Sequence, residues 1–193
     1  MPENDEFITI VSGLPRSGTS MMMQALEAGG IPILTDHIRS ADVDNPRGYY
    51  EFEAVKKTKE DPSWLQQAPG KAVKMIYRLL YDLPEDRNYH VIFMDRPLEE
   101  VIASQKKMLE RLGKKGGGIP DEAMIKAFEK ELAAFDSWIS TKKNFSVLHI
   151  EHRKMIEQPL EQCRLIADFL DGRVDPQKMA EVVDPTLHRN VKQ

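Results

Sequence analysis

The chain has 193 residues, of which 41% are apolar and 30% charged, and its net charge is −4. That length suits one domain spanning residues 1–193 with a sizeable core, and the charge balance excludes a bulk nucleic-acid binder while leaving room for a local anion site. The single cysteine, Cys163, excludes an internal disulfide framework and points to a reducing, cytoplasmic setting. The acidic start lacks the basic residues of a signal peptide, and no apolar run reaches the roughly 18 residues a membrane span needs.

Residues 7–11, Phe-Ile-Thr-Ile-Val, read as a first strand, followed by a Gly-rich turn and a helix over residues 18–28 that Gly29-Gly30 stops. Residues 31–34 predict a short strand, 42–48 a loop, and 50–59 a helix ending before Asp61-Pro62. Strands follow at 72–77 and 90–94. Pro97 then stands where a helix would begin, with Glu99 and Glu100 in its first turn. The Gly-rich segment 113–118 breaks that helix. The longest predicted helix is 121–140, with an apolar stripe through Met124, Phe128, Leu132, Phe135 and Ile139. A strand at 145–150 follows. Pro159 opens a helix that ends at Gly172, and Asp175-Pro176 opens the last one. Met21 to Met23, Trp64, Trp138 and Cys163 read as core or groove lining. The alternation implies an α/β fold, three layers α/β/α around a mostly parallel sheet, with ligands bound beyond the carboxyl ends of the strands.

The turn after the first strand is Gly13-Leu-Pro-Arg-Ser-Gly-Thr-Ser20. Backbone N–H groups at the positive end of a helix dipole suit a phosphate. Gly13 and Gly18 permit close approach, Ser17, Thr19 and Ser20 add hydroxyl donors, and Arg16 adds a planar cationic fork. The Gly-x4-Gly spacing is that of a nucleotide P-loop, but Thr19 stands at the Lys position. This demotes ATP chemistry, which relies on that Lys.

Arg16-Ser17-Gly18-Thr19-Ser20 resembles the 5′-phosphosulfate loop of sulfotransferases that use 3′-phosphoadenosine 5′-phosphosulfate (PAPS). A second motif carries the same resemblance: strand 90–94 leads to Arg96, and Ser104 lies eight residues further. The resemblance implies a P-loop-like fold and PAPS as sulfonate donor, with no metal. It gives Arg16, Ser17, Gly18, Thr19 and Ser20 to the 5′ side, and Arg96 and Ser104 to the 3′ phosphate. Arg16 would also offset charge as the sulfonate leaves. In the C-terminal third, His152 stands where the family often has an adenine-contacting Tyr; on its own it reads as a surface His.

The resemblance also implies a base that takes a proton from the acceptor. Many small-molecule members place a His shortly after a strand Lys; here Lys74 is that Lys and the His position holds Ile76. The tyrosylprotein branch draws its base from the segment after the first helix, which makes Asp36 the first choice and His37 the second. Glu51, in the Asn45-Pro-Arg-Gly-Tyr-Tyr-Glu51 segment, is a third; Arg47 and Tyr49 of that segment are acceptor contacts. The acceptor is a small molecule or a glycan, met by loops at about 34–70 and 112–120. Two other readings stay open. One is a P-loop kinase in which Asp95 holds Mg²⁺; the other is a non-catalytic nucleotide-binding protein on the same fold.

Overall fold

The computed structural model describes residues 7–36, 48–114 and 116–184. Five strands form one sheet: β1 Ile8–Gly13, β2 Ile33–Leu34, β3 Ala72–Lys74, β4 Tyr89–Asp95 and β5 Phe145–Glu151. The spatial order is β2-β3-β1-β4-β5, and every pairing is parallel. β1 is central and buried along its whole length, as its continuous apolar run requires when both faces are covered.

Among the described residues six α-helices flank the sheet: α1 Thr19–Ala28, α2 Leu98–Arg111, α3 Asp121–Ile139, α4 His152–Glu157, α5 Pro159–Phe169 and α6 Pro176–Glu181. Two apolar clusters, one per face, make this a three-layer arrangement. The first joins Met22, Met23 and Leu26 of α1 to Cys163 and Ile166 of α5 and Met179 of α6. The second joins Val101 of α2 and Phe135 and Ile139 of α3 to Ile8, Ile10, Tyr89 and Val91 of the sheet. Met21 to Leu26 are all buried, so α1 is covered on every side, and its end docks on α6 through Gly29. A side chain at Gly29 would lie 2.6 Å from Met179, and the Asp175 N–H donates to the Gly29 carbonyl at 2.9 Å. Burial pushes the Cys163 thiol up to about 11, consistent with an inert core residue. Among the described residues no helix is long and apolar enough to cross a membrane.

The structure differs from the sequence reading at four places. Residues 50–59 form a single 3₁₀ turn, Glu53–Lys57, instead of a helix. Its first N–H is capped from a distance by the Asp36 carboxylate at 2.6 Å, and buried Thr58 closes it. Thr58 donates to the Val55 carbonyl at 2.7 Å and accepts from the Trp64 indole at 3.0 Å. Trp64 and Leu65 belong to a second 3₁₀ turn, Ser63–Gln67, which the sequence did not suggest. The strand read over 72–77 stops at Lys74, and a third 3₁₀ turn, Tyr77–Asp82, follows because the Tyr77 ring packs edge-on against Phe135. Finally, α4 stands ahead of Pro159, where only a strand end was expected. The proline cannot continue the helix, so α4 and α5 are two helices. The last helix begins as expected, with the Asp175 carboxylate accepting from the Gln177 N–H at 2.9 Å.

Candidate functional site

The carboxyl ends of β3, β1 and β4 lie side by side, with β1 in the middle. The turn after β1 is therefore flanked by Lys74 from β3 and by Arg96, the residue after β4. A cleft of about 590 Å³ opens above these ends. Its lining includes Gly13, Arg16, Gly18, Thr19, Ser20, Lys74, Arg96, Ser104 and His152.

The turn is built tightly. Gly13 has φ +145°, and a Cβ there would lie 2.8 Å from the Met94 carbonyl oxygen of β4. Gly18 has φ +103°, and a Cβ there would meet the His152 ring at 2.5 Å. His152 is buried against the turn, which corrects the surface reading; the fold carries it there because α4 starts directly at the end of β5. Arg16 adopts a left-handed backbone, φ +76°, that is unusual for a side chain with a Cβ. The Ser17 hydroxyl is buried beneath the turn without a protein partner, and Ser17, unlike Arg16, Gly18, Thr19 and Ser20, is not part of the cleft lining.

Arg16, Ser104 and Arg96 converge. The Arg16 Nε donates to the Ser104 hydroxyl at 3.1 Å. The Arg96 Nη1 donates to the Arg16 carbonyl at 3.0 Å, and its Nε pairs with Glu100 at 2.9 Å. The Arg96 side chain is only 6% exposed, yet its Nη2 has no protein partner. A buried guanidinium whose Nη2, with its two N–H groups, is unmatched beside a cleft is suited to an anionic oxygen. From the other flank, Lys74 Nζ donates to the Tyr49 carbonyl and reaches the Ser20 hydroxyl at 3.4 Å.

Asp36 is not part of the lining; its carboxylate is taken up by the Glu53 N–H. Glu51 is part of it. His37 and Arg47 lie outside the described residues. Asp95 is not part of the lining either, and its carboxylate pairs with His149 Nδ1 at 2.9 Å. That hydrogen bond raises the His149 pKa above its ordinary 6.5. The pair thus stabilises the fold fully below pH 6.5 and ceases to as pH rises through the raised pKa. His149→Asn should lower the melting temperature more at pH 5.5 than at pH 9, where only the ring's packing on Phe93 and its uncharged hydrogen bond are lost. Both partners are about half exposed, which keeps the effect under about 1 kcal/mol. Thermal melts at the two pH values check this.

Lys107, Met108 and Arg111 also line the cleft and were not anticipated. With Ser104 they fall at i, i+3, i+4 and i+7, one face of α2, a spacing readable in the sequence once Ser104 is placed. The cleft is thus rich in cations although the chain is net negative. Residues 112–114 and 116–120 are absent from the lining.

No family model matches the chain, and no curated protein matches it. Among solved structures it is similar to a sulfotransferase domain from the curacin biosynthetic pathway, 14% identical, over 94% of this chain and 89% of that one, TM-score 0.48. It is also similar to an unliganded sugar kinase from Janibacter sp. HTCC2649, 13% identical, over 94% of this chain and 98% of that one, TM-score 0.43. At these scores neither protein bears on the chemistry of this chain.

Proposed function

We propose that the protein is a sulfotransferase that moves a sulfonate from PAPS to a hydroxyl or amine. The observation that carries this reading is the Arg96 guanidinium, buried, anchored on two sides and unmatched at Nη2, beside a Gly-x4-Gly turn that is itself an anion cradle. Two anion sites next to each other suit a ligand with phosphates at two positions, which ATP does not have.

The residues fit such a ligand on the structure's own terms. At the turn, the backbone at Gly18 to Ser20 and the hydroxyls of Thr19 and Ser20, which line the cleft, offer donors to a 5′ phosphate. Lys74 and the Arg16 guanidinium add positive charge from opposite flanks. Arg96 Nη2 and the Ser104 hydroxyl would hold a 3′ phosphate. When bound, PAPS supplies a sulfonate on a phosphate anhydride: the acceptor O–S or N–S bond forms, the S–O bond to phosphate breaks, and the phosphate keeps the electron pair. The chain's part is to hold the anions, offset the charge on the departing phosphate and take the acceptor proton. We assign that proton to Glu51, the carboxylate in the lining, and treat Asp36 as the cap of the first 3₁₀ turn.

Calorimetric titration with 3′-phosphoadenosine 5′-phosphate (PAP), adenosine 5′-phosphate, ADP and ATP, with and without Mg²⁺, tests the cofactor class. Binding that prefers PAP and ignores Mg²⁺ is expected; preference for ATP with Mg²⁺ overturns the reading in favour of phosphoryl transfer. For the base, Glu51→Gln is expected to lower kcat by about 10²- to 10⁴-fold with PAP affinity unchanged. An unchanged kcat in Glu51→Gln, with a loss in Asp36→Asn, would return the role to Asp36.

A further inference from the structure

We infer that the acceptor carries an anionic group of its own, apart from the hydroxyl or amine that is sulfonated, and that Lys107 and Arg111 of α2 hold it. This rests on the sulfonyl-transfer reading and concerns its acceptor side. Only the start of α2 packs into the core: Val101, Ile102 and Ser104 are buried, and from Gln105 to Arg111 no residue is. Lys107, Met108 and Arg111 nevertheless line the cleft. The outer half of α2 therefore leaves the core and follows the rim of the cleft. It is fastened on both sides. The Gln105 amide donates to the Pro15 carbonyl at 3.3 Å, and Lys106 pairs with Asp121 of α3 at 2.5 Å. Lys106 is thus turned to α3, while Lys107 and Arg111, four residues apart on one helical face, are turned to the opening.

Among the described residues the lining holds six cationic side chains, Arg16, Lys56, Lys74, Arg96, Lys107 and Arg111, against one carboxylate, Glu51. A cleft lined by one sign of charge focuses its field and draws in anions. Arg16 and Arg96 meet at Ser104, Lys74 reaches Ser20, and Lys56 pairs with Glu53 at 2.5 Å. Arg111 stands seven residues past Ser104, about 10 Å along the helix, which is beyond a phosphate held at Ser104. Glu51 comes from the other side. Its backbone carbonyl accepts from Thr35 and Asp36, just after β2, whereas α2 follows β4, and β3 and β1 lie between those strands. An acceptor in the cleft thus meets the base from one side and the α2 cations from the other. A neutral acceptor gains nothing from that second side; a carboxylate or phosphate gains charge-assisted hydrogen bonds, two of them from the planar fork of Arg111.

The test uses the full chain and two probes that share one phenol body, 4-hydroxyphenylacetate and its uncharged amide. Each is titrated with and without PAP into wild type, Lys107→Gln and Arg111→Gln. The carboxylate is expected to bind wild type at least about 10-fold more tightly than the amide. Either variant should cut that preference to about threefold or less while PAP affinity stays within about twofold. Both positions are exposed and glutamine suits a helix, so the variants keep their fold, which circular dichroism checks. In wild type alone, raising NaCl from about 20 mM to about 300 mM should weaken the carboxylate and spare the amide. Equal binding of the two probes, failure of both, or a preference that both variants retain overturns the inference. So does a fall in PAP affinity that matches the fall for the carboxylate, because the two cations would then belong to the nucleotide. PAP is titrated separately, so the two ideas fail separately. A carboxylate preference that Arg111→Gln removes, without PAP binding, supports the anion subsite and ends the sulfonyl-transfer reading. PAP binding without that preference does the reverse.

Discussion

Arg96→Ala is expected to lower the affinity for PAP by about 100-fold and to leave the affinity for adenosine 5′-phosphate nearly unchanged. A charge-assisted hydrogen bond from a buried guanidinium contributes about 1.5–3 kcal/mol, which is about 10- to 100-fold, and a phosphate that loses its cation falls at the upper end. The difference between the two ligands is the 3′ phosphate alone, so the ratio of their affinities reports the Arg96 contact itself. The variant carries a second effect. Glu100, 13% exposed, loses its ion-pair partner, and the Arg16 carbonyl loses a donor. Leaving one buried charge uncompensated costs about 3–5 kcal/mol, enough to unfold a marginal protein. The double variant Arg96→Met with Glu100→Leu removes both charges and should retain the fold. It should show the same loss of PAP affinity in calorimetric titration. If it binds PAP as tightly as wild type, Arg96 does not hold the 3′ phosphate.

Gly13→Ala should be the most damaging substitution in the turn. The position has φ +145°, which an L side chain rarely adopts, and its Cβ would lie 2.8 Å from the Met94 carbonyl oxygen and 2.6 Å from the Ser17 hydroxyl. The carbonyl belongs to β4, whose register with β1 pairs Gly13 to Met94, so it cannot retreat without breaking the central pairing. Strain of this kind costs about 1–3 kcal/mol, and the clash adds to it. Urea unfolding should show a loss of about 3 kcal/mol or more, with nucleotide binding abolished. Gly18→Ala makes a useful contrast. Its obstacle is the ring of His152, a side chain, so Gly18→Ala combined with His152→Ala should recover part of the stability. Near-wild-type stability of Gly13→Ala would mean that the turn is looser than this packing implies.

The two residues also mark how far the sequence alone reaches. The strand–turn–helix at residues 8–28 is readable because an apolar β-branched run, two glycines at fixed spacing and an apolar helix agree locally. The parallel α/β layering follows from the alternation of such units. Arg96 and Ser104 are readable as a pair because Arg96 stands just before α2 and Ser104 about two turns into it, near the flank where the helix begins. The short elements were not legible in the same way. The 3₁₀ turn at Glu53–Lys57 depends on the carboxylate of Asp36, seventeen residues earlier, and that at Tyr77–Asp82 on Phe135 of α3. No local pattern encodes a contact of that separation.

What the chain determined by itself is the list of groups able to meet an anion: the turn from Gly13 to Ser20, Arg16, Arg96 and Ser104. Local propensity and helical periodicity suffice for these, since each lies within one strand–turn–helix unit. Tertiary structure decided which of the remaining polar groups face the cleft. It turned Asp36 into a cap, tied Asp95 to His149, buried His152 against Gly18 and presented Glu51 and Ile76 to the opening. The reason is physical. A carboxylate or an imidazole takes its role from the partners that satisfy it, and those partners come from elements distant in sequence, brought together by the order of strands in the sheet.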